Sequence, residues 1–175
     1  VEATVNTIAD SARTGKIVWR YRAGVFESSP LVVGKTLYVG SWDHKLHAVN
    51  IYTGKARWTF TADGEINSSP AFVNGKVYFG TDGGSVYALD ARTGKPVAGF
   101  GVGGRVDLTA ATGASRAYSW NGTPLVVRDV VVLGSSMADQ DSAARMTGMP
   151  GDVHAFDVRT GELRWTFHVI PRAGE

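Results

Sequence analysis

Short runs of hydrophobic residues alternate with polar residues along most of the chain, and turn residues separate the runs. Residues 37–41 (LYVGS) and 86–89 (VYAL) are typical runs, and alternation of this kind indicates half-buried β-strands. The pairs 34–35 (GK) and 74–75 (NG) join neighbouring runs and are tight hairpin signals. No long stretch shows a helical period. The pattern therefore predicts an all-β protein built from many short strands.

The runs belong to an internal repeat of about 40 residues. A Thr-Gly turn ends at Gly54, Gly94 and Gly161, and the first two of these glycines are 40 residues apart. Ser-Ser-Pro occurs at residues 28–30 and again at 68–70, which is the same spacing. A unit of this length has room for four antiparallel strands, A to D, and such a unit is typical of a β-propeller blade. The sequence thus predicts a β-propeller of four-stranded antiparallel blades.

The repeat gives about three blades, which make an incomplete ring. We expect one partial propeller over residues 1–175. Its parts are an outer strand at 16–22, a blade at 27–60, a second blade at 67–100, an insertion at 101–120, and a third blade at 121–168 with a further insertion at 136–150. Because three blades would leave sheet faces and edges uncovered, we expect either a longer native chain or self-association of copies that completes the ring.

A tryptophan follows the turn glycine by four residues at Trp19, Trp58 and Trp165, whereas the second blade has Ala98 at this position. Burial of a Trp removes about 150–250 Å² from water. We therefore expect these tryptophan-docking turns to pack one blade on the next and to lie away from any substrate.

Both insertions interrupt connections of the same kind. The first lies between strand D and the next strand A, and the second lies between strands B and C. In an up-and-down sheet these two kinds of connection share one end, so the sequence predicts that both insertions lie on one face of the propeller. Long loops on one rim of a rigid scaffold commonly carry function.

Polar residues on that face are the candidates for a functional site. Asp139 is the candidate catalytic residue, because the strand end at 134–136 (GSS) delivers it to the rim. The candidates for cofactor binding are Gln140, Arg116, Asn67, Asp43 and His44. An Asp close to an Arg can act as a base beside an anion clamp. The alternative for each residue is a solvated loop side chain, and no set of metal ligands can be identified.

Composition excludes several classes of protein. The formal net charge is +2 and the basic residues are scattered, so nucleic acid is not an expected partner. The chain has no Cys, which excludes a disulfide framework and a thiolate metal site. It has no apolar run long enough for a transmembrane helix. Residues 99–104 match G-x-G-x-x-G, but no helix follows, so we reject a dinucleotide site.

The repeated turn A-x-[DN]-x-x-T-G-x-x-x-W resembles the tryptophan-docking repeat of the quinoprotein dehydrogenases, which are propellers that use pyrroloquinoline quinone (PQQ). Four segments, residues 100–108, 132–140, 151–161 and 165–175, resemble the glucose dehydrogenase-like members of that family. The family has an Asp near the cofactor after the glycine–serine strand end, where Asp139 stands. Gln140 replaces the Asn that usually follows.

The resemblance implies a periplasmic or exported enzyme that oxidises an alcohol or a sugar. Hydride would pass to PQQ held near Ca²⁺, and a quinone or a cytochrome would accept the electrons. We expect this piece alone to be inactive. The alternative is a non-catalytic PQQ-like repeat module that acts as a protein-binding scaffold, because the first two blades carry only the general repeat.

Overall fold

The fold is taken from a computed structural model, which describes residues 6–10, 14–112, 122–134 and 151–169. The elements within these residues are β1 (Asn6–Asp10), β2 (Ile17–Arg22), β3 (Leu31–Val33), β4 (Thr36–Gly40), β5 (Lys45–Asn50), β6 (Ala56–Thr61), β7 (Ala71–Val73), β8 (Lys76–Gly80), β9 (Ser85–Asp90), β10 (Arg105–Asp107), α1 (Leu108–Thr112), β11 (Leu125–Val127), β12 (Val130–Gly134), β13 (Val153–Asp157) and β14 (Leu163–Phe167). None of the helices in this part of the chain is long and apolar enough to cross a membrane.

The strands form antiparallel sheets that follow chain order. The first sheet (β3 to β6), the second sheet (β7 to β10) and the third sheet (β11 to β14) have four strands each, and β1 and β2 form an N-terminal ribbon. Each sheet is an up-and-down meander with strands A to D in sequence. This confirms the predicted fold class, an all-β propeller with an incomplete ring.

The same register recurs wherever a docking Trp is present. Ala48 lies opposite Trp58 and Ala155 lies opposite Trp165, and the register shifts immediately after the alanine in both sheets. The ribbon repeats this arrangement, so the expected outer strand at 16–22 pairs with β1. The sequence of β1, NTIAD, has too few apolar positions for its period to be recognised.

Trp19 and Trp58 each pack on the turn glycine of the following sheet. The indole of Trp19 donates from Nε1 to the carbonyl of Ile51 at 2.7 Å and lies against Gly54. A Cβ at Gly54 would come within 2.9 Å of the Trp19 ring, and the glycine has a φ of +65°. Gly94 has a φ of +71° and meets Trp58 in the same way. Only glycine combines this backbone conformation with such close contact.

The second sheet replaces the docking Trp with a different aromatic residue. Ala98 stands at the Trp position, but Phe100 is fully buried and its ring lies edge-on to Tyr78, with centroids 5.7 Å apart. The next residue, Gly101, donates its N–H to the carbonyl of Thr160 in the turn of the third sheet at 2.7 Å. Phe100 and its loop thus do the packing that Trp58 does one sheet earlier.

This loop also moves the boundary of the second blade. Val97 donates to the carbonyl of Ala88, whereas Ala88 donates to the carbonyl of Gly104, so residues 98–103 interrupt strand D and β10 completes it. The blade therefore extends to Asp107 and does not end at 100. Residues 101–104 of the insertion expected at 101–120 therefore lie beside the turn of the third sheet and not on the face of the loops. The glycines at 101, 103 and 104 have positive φ, which interrupts the regular strand.

The apolar core fills the spaces between neighbouring sheets. Phe79 and Leu89 of the second sheet pack against Leu46 of the first sheet, and Phe156 packs on the opposite side of the second sheet. The outer face of the third sheet is exposed by contrast: Trp165 and Phe167 have relative accessibilities of 45% and 62%. These two residues correspond to side chains that are covered in the first sheet.

Candidate functional site

The connections between sheets and the turns between strands B and C meet on one face of the protein. Trp42 donates its N–H to the carbonyl of Val25 at 3.0 Å, and one repeat later Asp82 donates to the carbonyl of Glu65 at 2.9 Å. We call this side the loop face; it comprises residues 23–30, 41–44, 62–70 and 81–84. The opposite side, with the A–B and C–D turns, is the turn face.

The Ser-Ser-Pro marker holds the loop face in place. The hydroxyl of Ser68 accepts from the N–H of Gly80 at 2.8 Å and donates to the carbonyl of the same residue at 2.9 Å. Ser28 bridges Gly40 in the same manner. The repeated serine is therefore a structural clamp between a D–A connection and the end of strand B.

Three of the six candidate site residues lie on the loop face within the described part of the chain: Asn67, Asp43 and His44. The other three, Asp139, Gln140 and Arg116, lie outside the described residues. Each of the three visible residues has a distinct environment, and these environments decide what each can contribute.

Asp43 anchors a chain of hydrogen bonds that runs into the interior. Its Oδ1 accepts from Nε2 of the buried His47 at 3.1 Å, and Nδ1 of His47 lies 3.0 Å from the hydroxyl of Tyr21. A carboxylate can only accept, so Nε2 carries the proton and Nδ1 accepts from Tyr21. Burial lowers the pKa of His47, although Asp43 opposes the shift. This chain joins the ribbon to the first sheet.

His44 adopts a left-handed backbone conformation in its turn. Its φ is +64°, and Gly84, the equivalent residue of the second sheet, has a φ of +77°. The carbonyl of His44 accepts from the N–H of Ala62 at 2.8 Å. The left-handed conformation at this position points the chain back into strand C in both sheets.

The side-chain oxygen of Asn67 accepts no hydrogen bond from the described residues around it. Its Nδ2 donates to Oδ2 of Asp82 at 2.9 Å. Its Oδ1 is buried and has no hydrogen-bond partner among the described residues. A buried amide oxygen without a partner costs free energy unless something else satisfies it. Asn67 is therefore the visible residue that is best placed to bind a donor or a cation.

A larger network lies on the same face and was not anticipated from the sequence. Oδ1 of Asp63 accepts from the hydroxyl of Thr81 at 2.7 Å. Its Oδ2 accepts from the hydroxyl of Ser85 at 2.6 Å and lies 3.0 Å from Nη2 of Arg105. Burial raises the pKa of Asp63, but these hydrogen bonds and the Arg105 charge outweigh it, and the net shift is downward. The network ties the connection between the first and second sheets to β9 and β10 at the loop face.

The helix α1, which forms residues 108–112 of the first insertion, lies at the loop face. Leu108 donates its N–H to the carbonyl of Gly84 at 3.0 Å, and Asp107 caps the short helix by accepting from Ala110 at 3.1 Å. Residues 108–112 therefore lie at the loop face, and residues 113–120 of the insertion lie outside the described residues.

A second Asp–His pair borders the other insertion. Oδ2 of the buried Asp152 lies 2.9 Å from Nδ1 of His168. From the sequence His168 is only one residue of a strand pattern, since its partner is 16 positions away. The pair ties the start of β13 to the end of β14, next to the segment that carries Asp139.

The described residues do not contain a complete metal site. No three His, Cys, Asp or Glu among them come together closely enough to hold a metal ion. The oxygen of Asn67 and the carboxylate of Asp82 are nevertheless the kinds of ligand that hard cations such as Ca²⁺ prefer.

The family model for the PQQ glucose/ethanol/alcohol dehydrogenase β-propeller domain matches residues 7–175. The chain therefore belongs to this family of PQQ propeller domains, which confirms the resemblance seen in the repeated turn.

Individual relatives agree with this assignment. The quinohemoprotein alcohol dehydrogenase ADH IIB of Pseudomonas putida is 30% identical over 94% of the chain, and the match covers 17% of that enzyme. The solved quinohemoprotein alcohol dehydrogenase of Comamonas testosteroni has 27% identity and a TM-score of 0.68 over 85% of this chain and 22% of the other. The chain thus spans less than a quarter of either dehydrogenase.

The same fold also occurs in a protein that is not named as a dehydrogenase. BamB from Moraxella catarrhalis matches with a TM-score of 0.69 and 23% identity, over 96% of this chain and 47% of that one. At this level of identity the likeness shows the fold alone.

Proposed function

We propose that this chain is part of a PQQ-dependent dehydrogenase that oxidises an alcohol or a sugar, and that its loop face contributes to the cofactor site. The observation that carries the proposal is the family match over residues 7–175. The similarity to alcohol dehydrogenases favours an alcohol over a sugar.

The residues of the loop face fit part of a site for PQQ and Ca²⁺. Oδ1 of Asn67 is buried and has no partner in the part of the chain that the structure describes, and the amide is fixed by the carboxylate of Asp82. These oxygens would supply ligands to Ca²⁺ or accept a hydrogen bond from the cofactor. The remaining contacts to the cofactor and its cation would come from Gln140 and from parts of the protein beyond this chain, and Arg116 would contact the anionic cofactor alone, because a guanidinium cannot ligate a cation. Asp43 and His44 would line the same rim.

Asp139 is the proposed base that removes the proton from the substrate hydroxyl. When bound, PQQ would accept the hydride from the substrate carbon. The protein would supply a positioned carboxylate, an oriented amide and, at Arg116, a cation that pairs with an anionic cofactor. A quinone or a cytochrome would reoxidise the cofactor, and the enzyme would work in the periplasm.

A protein-binding scaffold is the second candidate. This candidate is favoured by the regular packing of Trp19 and Trp58 on the turn glycines of the first two sheets, because such packing needs no cofactor. A scaffold of this kind would bind a partner protein at its rim or edge and would not take up PQQ.

Dye reduction by the full-length protein distinguishes the dehydrogenase from the protein-binding scaffold. After loading with PQQ and Ca²⁺, we expect reduction of an artificial acceptor with primary alcohols and, to a smaller extent, with glucose. An Asp139→Asn variant should lose about 100-fold or more of this rate and should still bind PQQ. If the loaded wild-type protein reduces no dye with any alcohol or sugar and takes up no PQQ, the dehydrogenase proposal is wrong.

A further inference from the structure

A cleft of about 440 Å³ opens on the turn face between the first and second sheets. Its lining combines the apolar residues Val33, Phe72 and Ala91 and the ring of Tyr38 with two basic residues, Arg57 and Arg92. Its volume lies within the range of about 300–1,000 Å³ that is usual for ligand sites. The cleft is remote from the loop face and has no part in the proposed dehydrogenase function.

The third sheet contains an arginine that corresponds to Arg57 and that pairs with a carboxylate. Arg164 is the residue of the third sheet that corresponds to Arg57. Its Nη2 donates to Oδ2 of Asp157 at 2.6 Å. Oδ1 of Asp157 accepts from the N–H groups of Arg159 and Thr160, so one side chain both stabilises the turn and neutralises the arginine.

The first sheet keeps the turn and lacks the carboxylate. Asn50 occupies the position of Asp157, and its Oδ1 accepts from the N–H groups of Tyr52 at 2.9 Å and Thr53 at 3.2 Å. The other terminal atom of Asn50 is a donor nitrogen, which cannot pair with a guanidinium. Within the described residues, the only hydrogen bond of the Arg57 side chain is a long one of 3.4 Å to the carbonyl of Lys35.

The acidic residue of the cleft does not neutralise Arg57 either. Oδ1 of Asp90 accepts from both the N–H and the hydroxyl of Thr93, at 2.7 and 2.6 Å. These hydrogen bonds stabilise the turn that follows β9. Among the ion pairs of the described residues, none joins Asp90 to Arg57. Arg57 and Arg92 together outweigh the single carboxylate, so the lining of the cleft carries an excess of positive charge beside apolar surface.

We propose that this cleft binds a carboxylate carried on an apolar or aromatic group. The guanidinium of Arg57 would pair with the carboxylate, which it can hold through two parallel hydrogen bonds. Phe72, which is 37% exposed, and Val33 would cover the apolar body. A free organic acid and an acidic segment of a partner polypeptide share this chemistry.

Calorimetric titration of the full-length protein with 3-phenylpropionate tests the proposal, and 3-phenylpropanamide is the uncharged comparison. We expect saturable binding of the acid and no measurable binding of the amide. Arg57→Gln should weaken binding by about tenfold or more. Lys55→Gln removes one positive charge from the same turn outside the cleft and should change the affinity by less than twofold.

Asn50→Asp is the sharpest variant. It retains the acceptor for the turn and recreates the pair seen between Asp157 and Arg164, so Arg57 should be neutralised and binding should fall as in Arg57→Gln. The melting temperature should not decrease.

Equal binding of acid and amide by the wild type, or unchanged binding by both Asn50→Asp and Arg57→Gln, would overturn the proposal. A peptide ending in Phe-Asp that binds more tightly than 3-phenylpropionate would identify a polypeptide as the source, and tighter binding of the free acid would identify a small molecule.

Discussion

The turn face and the loop face of this protein are built from the same repeat but have diverged to very different degrees. On the turn face, Gly54 and Gly94 have nearly the same φ and each meets an indole ring. On the loop face, Asn67 stands where the preceding repeat has Glu27, and Asp82 stands where it has Trp42. Close packing constrains the turn face, whereas loop residues are free to take up binding and chemistry.

The largest expected effect is the loss of a docking Trp. Trp58→Ala removes the contact with Gly94 and the hydrogen bond from Nε1 to the carbonyl of Ala91, and we expect a loss of about 3 kcal/mol in the free energy of unfolding. Trp42→Ala on the loop face removes a side chain that is 39% exposed and should cost less than about 1 kcal/mol. Urea denaturation compares the two, and equal losses would contradict the division between the faces.

The turn glycines should rank next. Gly94→Ala forces a side chain into the left-handed region and places its Cβ about 2.6 Å from the Trp58 ring, so we expect a cost of about 2–3 kcal/mol. Gly34→Ala is the matched control, because Gly34 also has a positive φ but has nothing within 4 Å of a Cβ. Its cost should be about 1 kcal/mol. Thermal melting measures both, and a larger loss for Gly34→Ala would contradict the packing account.

Acid should weaken the turn of the third sheet. Hydrogen bonds from Arg164, Arg159 and Thr160 hold the pKa of Asp157 well below its usual range. Its contribution is therefore present above the unfolded pKa of about 4 and is lost as the pH falls through the lower folded pKa. Asp157→Asn should cost about 2 kcal/mol at pH 7 and flatten the dependence of stability on pH below 4. An equally steep dependence in the variant would show that other carboxyl groups dominate.

The smallest effect should come from His47. Burial lowers its pKa, so the folded protein binds fewer protons than the unfolded chain below about pH 6.5, and stability should decrease as the pH falls from 7 to 5. Since Asp43 opposes the shift, we expect a change of less than about 1 kcal/mol. His47→Gln should remove this slope in urea midpoints, and a slope that persists would assign it elsewhere.

The sequence was most informative where structure is local. The strands, the tight turns and the meeting of the two kinds of connection on the loop face followed from the period and were confirmed. The substitution of Phe100 for a docking Trp could not be predicted, because it depends on a loop that reaches Thr160 in another sheet. Asp63 and Arg105 likewise come together only through folding. An isolated polar side chain in a sequence does not show which partner it will meet.

The central claim is that the loop face holds part of the PQQ site, and the affinity of the full-length protein for PQQ in the presence of Ca²⁺ tests it most directly. Asn67→Leu removes the unpartnered buried oxygen with little change in volume, and Lys55→Gln on the turn face serves as the control. We predict submicromolar binding by the wild type (about −8 kcal/mol or tighter), a loss of about tenfold or more in Asn67→Leu, and no change in the control. Absence of PQQ binding, or equal affinities for the wild type and Asn67→Leu, would contradict the assignment of the cofactor to this face.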